Sequence, residues 1–172
     1  MNDADYENMP AFLCGVKALD DFFHFEVKEC VQRRYLSAYT VFLDSGEIVA
    51  AFTLMNDALM IGSQTEKEDF IEDLKLDTDE DIADFLNRQS SYPAINIGHL
   101  GTAKDYQSRG IGSMIVDLVA DTYAKYKQSG CQFITVDALN DEKTTKFYCK
   151  NSFWFQTNRD STSPTRRMYR IL

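Results

Sequence analysis

Apolar positions recur along this chain with two periods. From Val16 to Tyr35 they fall at Val16, Leu19, Phe22, Phe23, Val27, Cys30 and Val31, with Lys17, Asp20, Asp21, Lys28 and Arg33 between them. That spacing predicts an amphipathic helix. Tyr39 to Leu43 is β-rich, Asp44-Ser45-Gly46-Glu47 reads as a turn, and Ile48 to Met55 returns, which predicts a hairpin. Ser63 to Ser91 is charged, with weak helical patterning at Phe70, Ile71 and Leu74 and then at Ile82, Phe85 and Leu86. One or two surface helices are expected there, closed by Pro93. Ala94 to Ala103 reads as a strand, and Ile111 to about Gln128 as a helix ended by Ser129-Gly130. Cys131 to Ala138 reads as a strand, Asp141 to Lys150 as a short helix, and Phe153–Phe155 and Arg167–Leu172 as strands. This order predicts an α/β protein whose sheet has mixed strand directions.

A chain of 172 residues, 44% hydrophobic and 13% aromatic, is read as a single domain spanning 1–172 with its own core. Cys14, Cys30, Cys131 and Cys149 are far apart and form no Cys-x-x-Cys pair, so reduced thiols are expected rather than zinc ligands or a disulfide framework. The polar, acidic start and the lack of a long apolar run point to a cytoplasmic protein with no membrane partner. The net charge of −9 is unevenly placed: Ser63 to Ser90 holds ten acids against three bases, while the last fourteen residues hold four arginines against one aspartate. The acidic insertion, about 63–92, reads either as a solvated face or as a mouth that attracts cationic amines. Asp77-x-Asp79-x-Asp81 has Ile82 and Arg88 where a calcium loop needs Gly and Glu, so no metal is expected.

The segment with most chemistry is Gln107-Ser108-Arg109-Gly110-Ile111-Gly112-Ser113, between a strand and a helix. The first N–H groups of a helix lack partners and sit at the positive end of its dipole. Glycines let a phosphate approach that backbone, and Arg109 adds a fixed charge, so the segment reads as a pyrophosphate cradle. It is not a Walker A loop, and Ile115 stands where a dinucleotide fingerprint needs its third glycine. Gln-x-Arg-Gly-Ile-Gly after a strand instead resembles motif A of the GNAT superfamily of acyl-CoA-dependent N-acetyltransferases. Asp137-Ala138-Leu139-Asn140, Lys146-Phe147-Tyr148 and Asn151-Ser152-Phe153 resemble its second signature, with Ser152 in place of a turn glycine. Asn151 is expected to take the left-handed conformation there.

The resemblance covers about Leu13 to Leu172. It implies the GNAT fold: a mixed central sheet splayed between its two central parallel strands, flanked by helices, here with an acidic helical insertion. It implies acetyl-CoA as co-substrate, with the backbone of Leu100, Gly101 and Thr102 pairing with the pantetheine arm and Gln107, Ser108, Arg109, Gly110, Ile111, Gly112 and Ser113 holding the pyrophosphate. Asn140 would hydrogen-bond the pantetheine and Phe147 would lie against the cofactor. Tyr148 would sit near the thiol sulfur as general acid, or pack beside Phe147 as core. A phenol of pKa about 10 can donate to a departing thiolate of about 8.5. His99 is the titratable candidate for a base on its strand before Lys104, against the reading of a hydrogen-bonded strand histidine, and by alternation it should face opposite to Gly98 and Leu100. His24, between Phe23 and Phe25, reads as structural or surface.

The acceptor is expected to be a primary amine of a small molecule or peptide. The run Pro93 to Thr102 with Tyr106-Gln107, Leu19 to Phe23 and the terminal Arg-Met-Tyr strand is similar to a bacterial branch of the superfamily that includes toxins acetylating aminoacyl-tRNA, where the Tyr matching Tyr148 is catalytic. Net charge speaks against a nucleic-acid partner, because phosphate neutralisation supplies much of such affinity. A local patch from the arginine-rich tail with Lys125, Lys127, Lys143, Lys146 and Lys150 keeps tRNA open as the alternative. A non-catalytic acyl-CoA-binding module is a further alternative, and a homodimer is compatible with the fold.

Overall fold

The hairpin, the strand–helix–strand unit and the C-terminal strands all form. A computed structural model describes residues 1, 3–75 and 88–172. Its elements are α1 Asp3–Asn8, a 3-10 turn Met9–Ala11, α2 Lys17–Asp21, a π turn Phe22–Glu26, α3 Val27–Gln32, β1 Ser37–Phe42, β2 Ile48–Met60, α4 Gln64–Lys75, β3 Ser91–Thr102, a 3-10 turn Lys104–Tyr106, α5 Ile111–Lys125, β4 Phe133–Leu139, α6 Glu142–Lys150, β5 Trp154–Phe155 and β6 Thr165–Ile171. They build a mixed six-stranded sheet in the order β1-β2-β3-β4-β6-β5, with β3 parallel to β4. The expected second helix of the acidic insertion and the Asp77-Asp79-Asp81 triplet lie outside the described residues.

By contacts the described chain divides into Met1–Asn56 with Asn96–Tyr123, and Asp57–Ile95 with Ala124–Leu172. In the first unit the predicted Val16–Tyr35 helix forms as one run interrupted by the π turn, and Arg34 ends it at φ 59°. Its apolar stripe, Phe22, Phe23 and Val27, packs with Met9, Phe12, Leu36, Ala38, Ile48 and Ala51. Met9 and Phe12 belong to an N-terminal segment whose short apolar run carries no readable period, and its helix was not anticipated. His24 fixes this layer from the side, with Nε2 2.7 Å from the Phe12 carbonyl oxygen. Helix α5 buries Ile115, Val116, Val119 and Ala120 along one face. It ends at Lys125, earlier than Gln128, and Tyr126, Lys127 and Gln128 are all exposed.

In the second unit Phe70 of α4 lies 5.3–5.8 Å, between ring centroids, from Tyr92, Phe133 and Tyr169. Burying one such ring contributes roughly 2–3 kcal/mol, so the start of the acidic insertion is a docked helix. Pro93 lies inside β3 rather than closing the segment before it. It has no N–H to give, and its carbonyl accepts from Gln132 N at 2.8 Å. Strand β4 begins at Phe133, not Cys131, and pairs antiparallel with β6 so that Asp137 stands directly opposite Arg167.

Candidate active site

The first unit carries the 107–113 segment that the sequence reads as an anion cradle. Helix α5 makes its first internal bond from Met114 N to the Gly110 carbonyl at 3.0 Å, so the N–H groups of Ile111, Gly112 and Ser113 lie ahead of it. Ser108 and Gly110 hold left-handed φ values of 60° and 84°, which turn successive N–H groups toward one side. Nothing lies within 4 Å of where a Gly110 Cβ would stand. These features fit a pyrophosphate. Gln107 does something else with its side chain: Nε2 donates to the carbonyls of Cys14 at 2.7 Å and Thr102 at 3.1 Å. It ties the end of β3 to the Cys14-Gly15 turn, which Asp20 caps by accepting from both N–H groups at 2.7 and 3.1 Å. Arg109 donates to the Asp105 carbonyl at 2.7 Å and lies 4.9 Å over the Tyr106 ring. Gly101 is closely packed: a Cβ there would stand 3.2 Å from Phe12 and 3.3 Å from Leu19, so those side chains would have to give by a few tenths of an ångström.

The expected alternation fails at Gly98 and His99. A Cβ on Gly98 would lie 3.2 Å from Thr53 Oγ1, and the next residue, His99, brings Nδ1 to 2.9 Å from the same oxygen. Two successive residues therefore address one neighbour. The imidazole stacks on Phe22 at 3.5 Å and 7° and meets Phe23 edge-on. Burial pushes its pKa down to about 4, so the ring is neutral at pH 7 and is a weak proton acceptor. This geometry is that of a hydrogen-bonded, stacked strand histidine.

The second unit carries the rest of the second signature. Asp141 caps α6, accepting from Thr144 N at 2.9 Å and Thr144 Oγ1 at 2.7 Å, a contribution of about 1 kcal/mol. Tyr148 is buried between Phe147 and Phe153, with centroids 5.0 and 5.2 Å away. Burial pushes its phenol up to about 12, so it stays protonated throughout the neutral range. The turn after α6 survives the loss of glycine in a way the sequence did not suggest. Ser152, not Asn151, is left-handed at φ 63°, while Asn151 stays at φ −97°. Ser152 N and Phe153 N return to the Cys149 and Tyr148 carbonyls at 3.1 Å each, and Asn151 Nδ2 donates to the Phe147 carbonyl at 2.7 Å. Asn140 at the end of β4 spends both amide hydrogens on the Ser161 and Ser163 carbonyls, at 2.9 and 2.8 Å.

One cluster in this unit went unnoticed in the sequence. Asp57 on β2 accepts from Thr135 Oγ1 and from Arg167, whose other amino group reaches Asp137 at 2.8 Å. The available signal was a lone charge inside the apolar run Ile48 to Met60 and polar residues at 135 and 137 of an otherwise apolar strand. The tail arginines are also spoken for: Arg159 pairs with Glu66 at 2.9 Å, Arg166 with Asp160 at 2.6 Å, and Arg170 donates to the Asn151 carbonyl at 3.3 Å. The expected basic surface of the tail is therefore largely neutralised within its own unit. Cations remain exposed on α6, where Lys143, Lys146 and Lys150 share one face, although Lys146 pairs with Glu142 at 2.6 Å. All four cysteines are free thiols. Among the described residues no cluster of side chains could hold a metal, and no helix is long and apolar enough to cross a membrane.

No family model matches the sequence, and no curated protein matches it. Solved structures do. A tyrosine-to-phenylalanine mutant of KacT superposes with a TM-score of 0.71 at 20% identity, over 99% of this chain and 91% of that one. AtaT complexed with acetyl-methionyl-tRNAfMet gives 0.69 at 18% identity, over 97% and 89%. AtaTR bound with acetyl-CoA gives 0.66 at 18% identity, over 98% and 87%. The chain has the fold of these toxins. That is the GNAT fold its two signatures implied.

Proposed function

We propose that this chain is an acetyl-CoA-dependent N-acetyltransferase of toxin type, with the α-amino group of an aminoacyl-tRNA as acceptor. The single observation that carries this is the near full-length likeness to AtaT captured with an acetylated aminoacyl-tRNA, on a chain with an open anion cradle and a buried, protonated Tyr148. Acetyl-CoA supplies the acyl group as a thioester. The N–H groups of Ile111, Gly112 and Ser113 and the Arg109 charge hold its pyrophosphate, and the β3 edge at Leu100–Thr102 receives its amide arm. Tyr148 donates a hydrogen bond to the departing sulfur. Complete proton transfer from a phenol near 12 to a thiolate near 8.5 is uphill by about 5 kcal/mol. The hydroxyl therefore works by stabilising the developing charge while solvent supplies the final proton.

The acceptor class follows from the proton that must be lost. A lysine-like amine near 10.4 costs about 4–5 kcal/mol to neutralise at pH 7, whereas an α-amino group near 8 costs about 1 kcal/mol. With His99 held near 4, an acceptor that is already partly neutral suits this chain better. A second reading, a small or peptidic amine, is favoured by the net charge of −9 and by the internally paired tail arginines. The deciding experiment is transfer of labelled acetyl from acetyl-CoA to bulk charged tRNA, with cofactor binding followed by calorimetry on the same sample. Labelling that falls by two or more orders of magnitude in Tyr148→Phe, with cofactor binding retained, supports the tRNA reading. Cofactor binding with no tRNA labelling moves the acceptor to small amines and protein N-termini. Activity indifferent to Tyr148→Phe removes that hydroxyl from the mechanism.

A further inference from the structure

Asn140 stands at the carboxyl end of β4, where open α/β sheets bind their ligands. In the second signature its amide is expected on the cofactor, yet neither of its N–H groups is free to go there. Nδ2 donates to the carbonyls of Ser161 and Ser163, and its backbone N–H donates to the Pro164 carbonyl at 2.9 Å. Three bonds from one residue thus gather the second half of the 156–164 loop.

The rest of that loop is fixed just as closely. Gln156 Nε2 donates to the Met60 carbonyl at 2.6 Å, and Arg166 Nη2 donates to the Thr157 carbonyl at 3.0 Å. The Asp160 carboxylate accepts from Arg166 Nε at 2.6 Å and Arg167 N at 2.9 Å. Arg159 pairs with Glu66 on α4. The segment contains no strand or helix, yet almost every turn of it is held by a polar contact. Polar contacts of this kind each contribute about 1 kcal/mol, and a surface loop that only connected two strands would need few of them.

We propose that Asn140 is a positioning residue: it clamps the 156–164 loop over the carboxyl end of β4, making that loop the element that contacts the acceptor, and it meets the cofactor only through Oδ1. This rests on the acetyltransferase reading above. Oδ1 is an acceptor, so the group it takes is an N–H donor such as a pantetheine amide. A carbonyl drawn into hydrogen bonding by the two donors beside it becomes a better acceptor, so cofactor occupancy and loop position reinforce each other through one side chain.

Asn140→Asp separates the two roles. The carboxylate still accepts an N–H, but it has nothing to donate to the Ser161 and Ser163 carbonyls and repels them. Three readouts are expected: acetyl-CoA dissociation constants within about threefold of the parent, hydrogen-exchange protection of 156–164 lowered at least tenfold, and acceptor KM raised at least tenfold with kcat changed less. Asn140→Ala, which lacks both roles, is expected to lose cofactor affinity as well. Loss of cofactor binding in Asn140→Asp with the loop still protected would overturn the proposal, as would an exposed loop with an unchanged acceptor KM. Loop exchange is read without any acceptor, so an enzyme that transfers to no amine tested would fail the acetyltransferase reading while leaving the clamp to stand or fall by that protection.

Discussion

His99 offers the sharpest test, because its stack on Phe22 and its bond to Thr53 put a number on an acid-sensitive contribution to stability. Its folded pKa near 4 lies below the ordinary value of 6.5 because burial disfavours the charged ring. Between those values the unfolded chain binds the proton and the folded chain does not. The contribution is therefore fully present above pH 6.5 and is lost as pH falls toward 4. A difference of 2.5 units corresponds to at most about 3.4 kcal/mol, and the partial exposure of the ring reduces this to about 2 kcal/mol. His99→Phe keeps a flat ring for Phe22 and cannot titrate. It leaves the Thr53 hydroxyl without its partner and should cost about 1–2 kcal/mol at neutral pH. Urea unfolding of both proteins at pH 7.5 and 4.5 isolates the histidine, since all other groups titrate alike in the two. The parent should lose about 2 kcal/mol more than the variant on acidification. Equal losses would refute the assignment. An acid limb in kcat/KM that vanishes in His99→Phe while the variant remains folded would show that the imidazole moves a proton after all.

Two other substitutions probe the second unit. Ser152→Gly relieves a left-handed serine that is exposed and makes few contacts; it should raise stability by about 0.5–1 kcal/mol after the added freedom of the unfolded chain is counted, read as a higher urea midpoint at constant m-value. Arg167→Ala leaves Asp57 and Asp137 without their shared counter-charge and should destabilise by about 2 kcal/mol at pH 7, read as a lower urea midpoint.

The parts of this molecule written in local pattern were readable beforehand. The stripe from Leu19 to Val31 and the existence of α5 follow from pattern, and Gln107 to Ser113 announces its turn because its glycine leads directly into a helix. What was not readable depends on partners distant in sequence. Whether Asn140 faces a cofactor or a loop twenty residues downstream, or whether a terminal arginine is free or pinned by Asp57, is decided by tertiary contact. His99 misled for a different reason: alternation assumes a regular strand, and the chain departs from it at the residue after Gly98. Ser152 was misjudged because propensity favours asparagine in the left-handed region, whereas the hydrogen bonds closing α6 place that conformation one residue later.

The side chain of Gln107 has a consequence for how a ligand would arrive. By joining the Cys14 turn to the end of β3, it fixes the start of the 107–113 segment from within the protein. Association at the proposed anion site then carries little cost of ordering a disordered segment. The entropy of shaping that segment is met once, during folding, and not again at each encounter with a ligand.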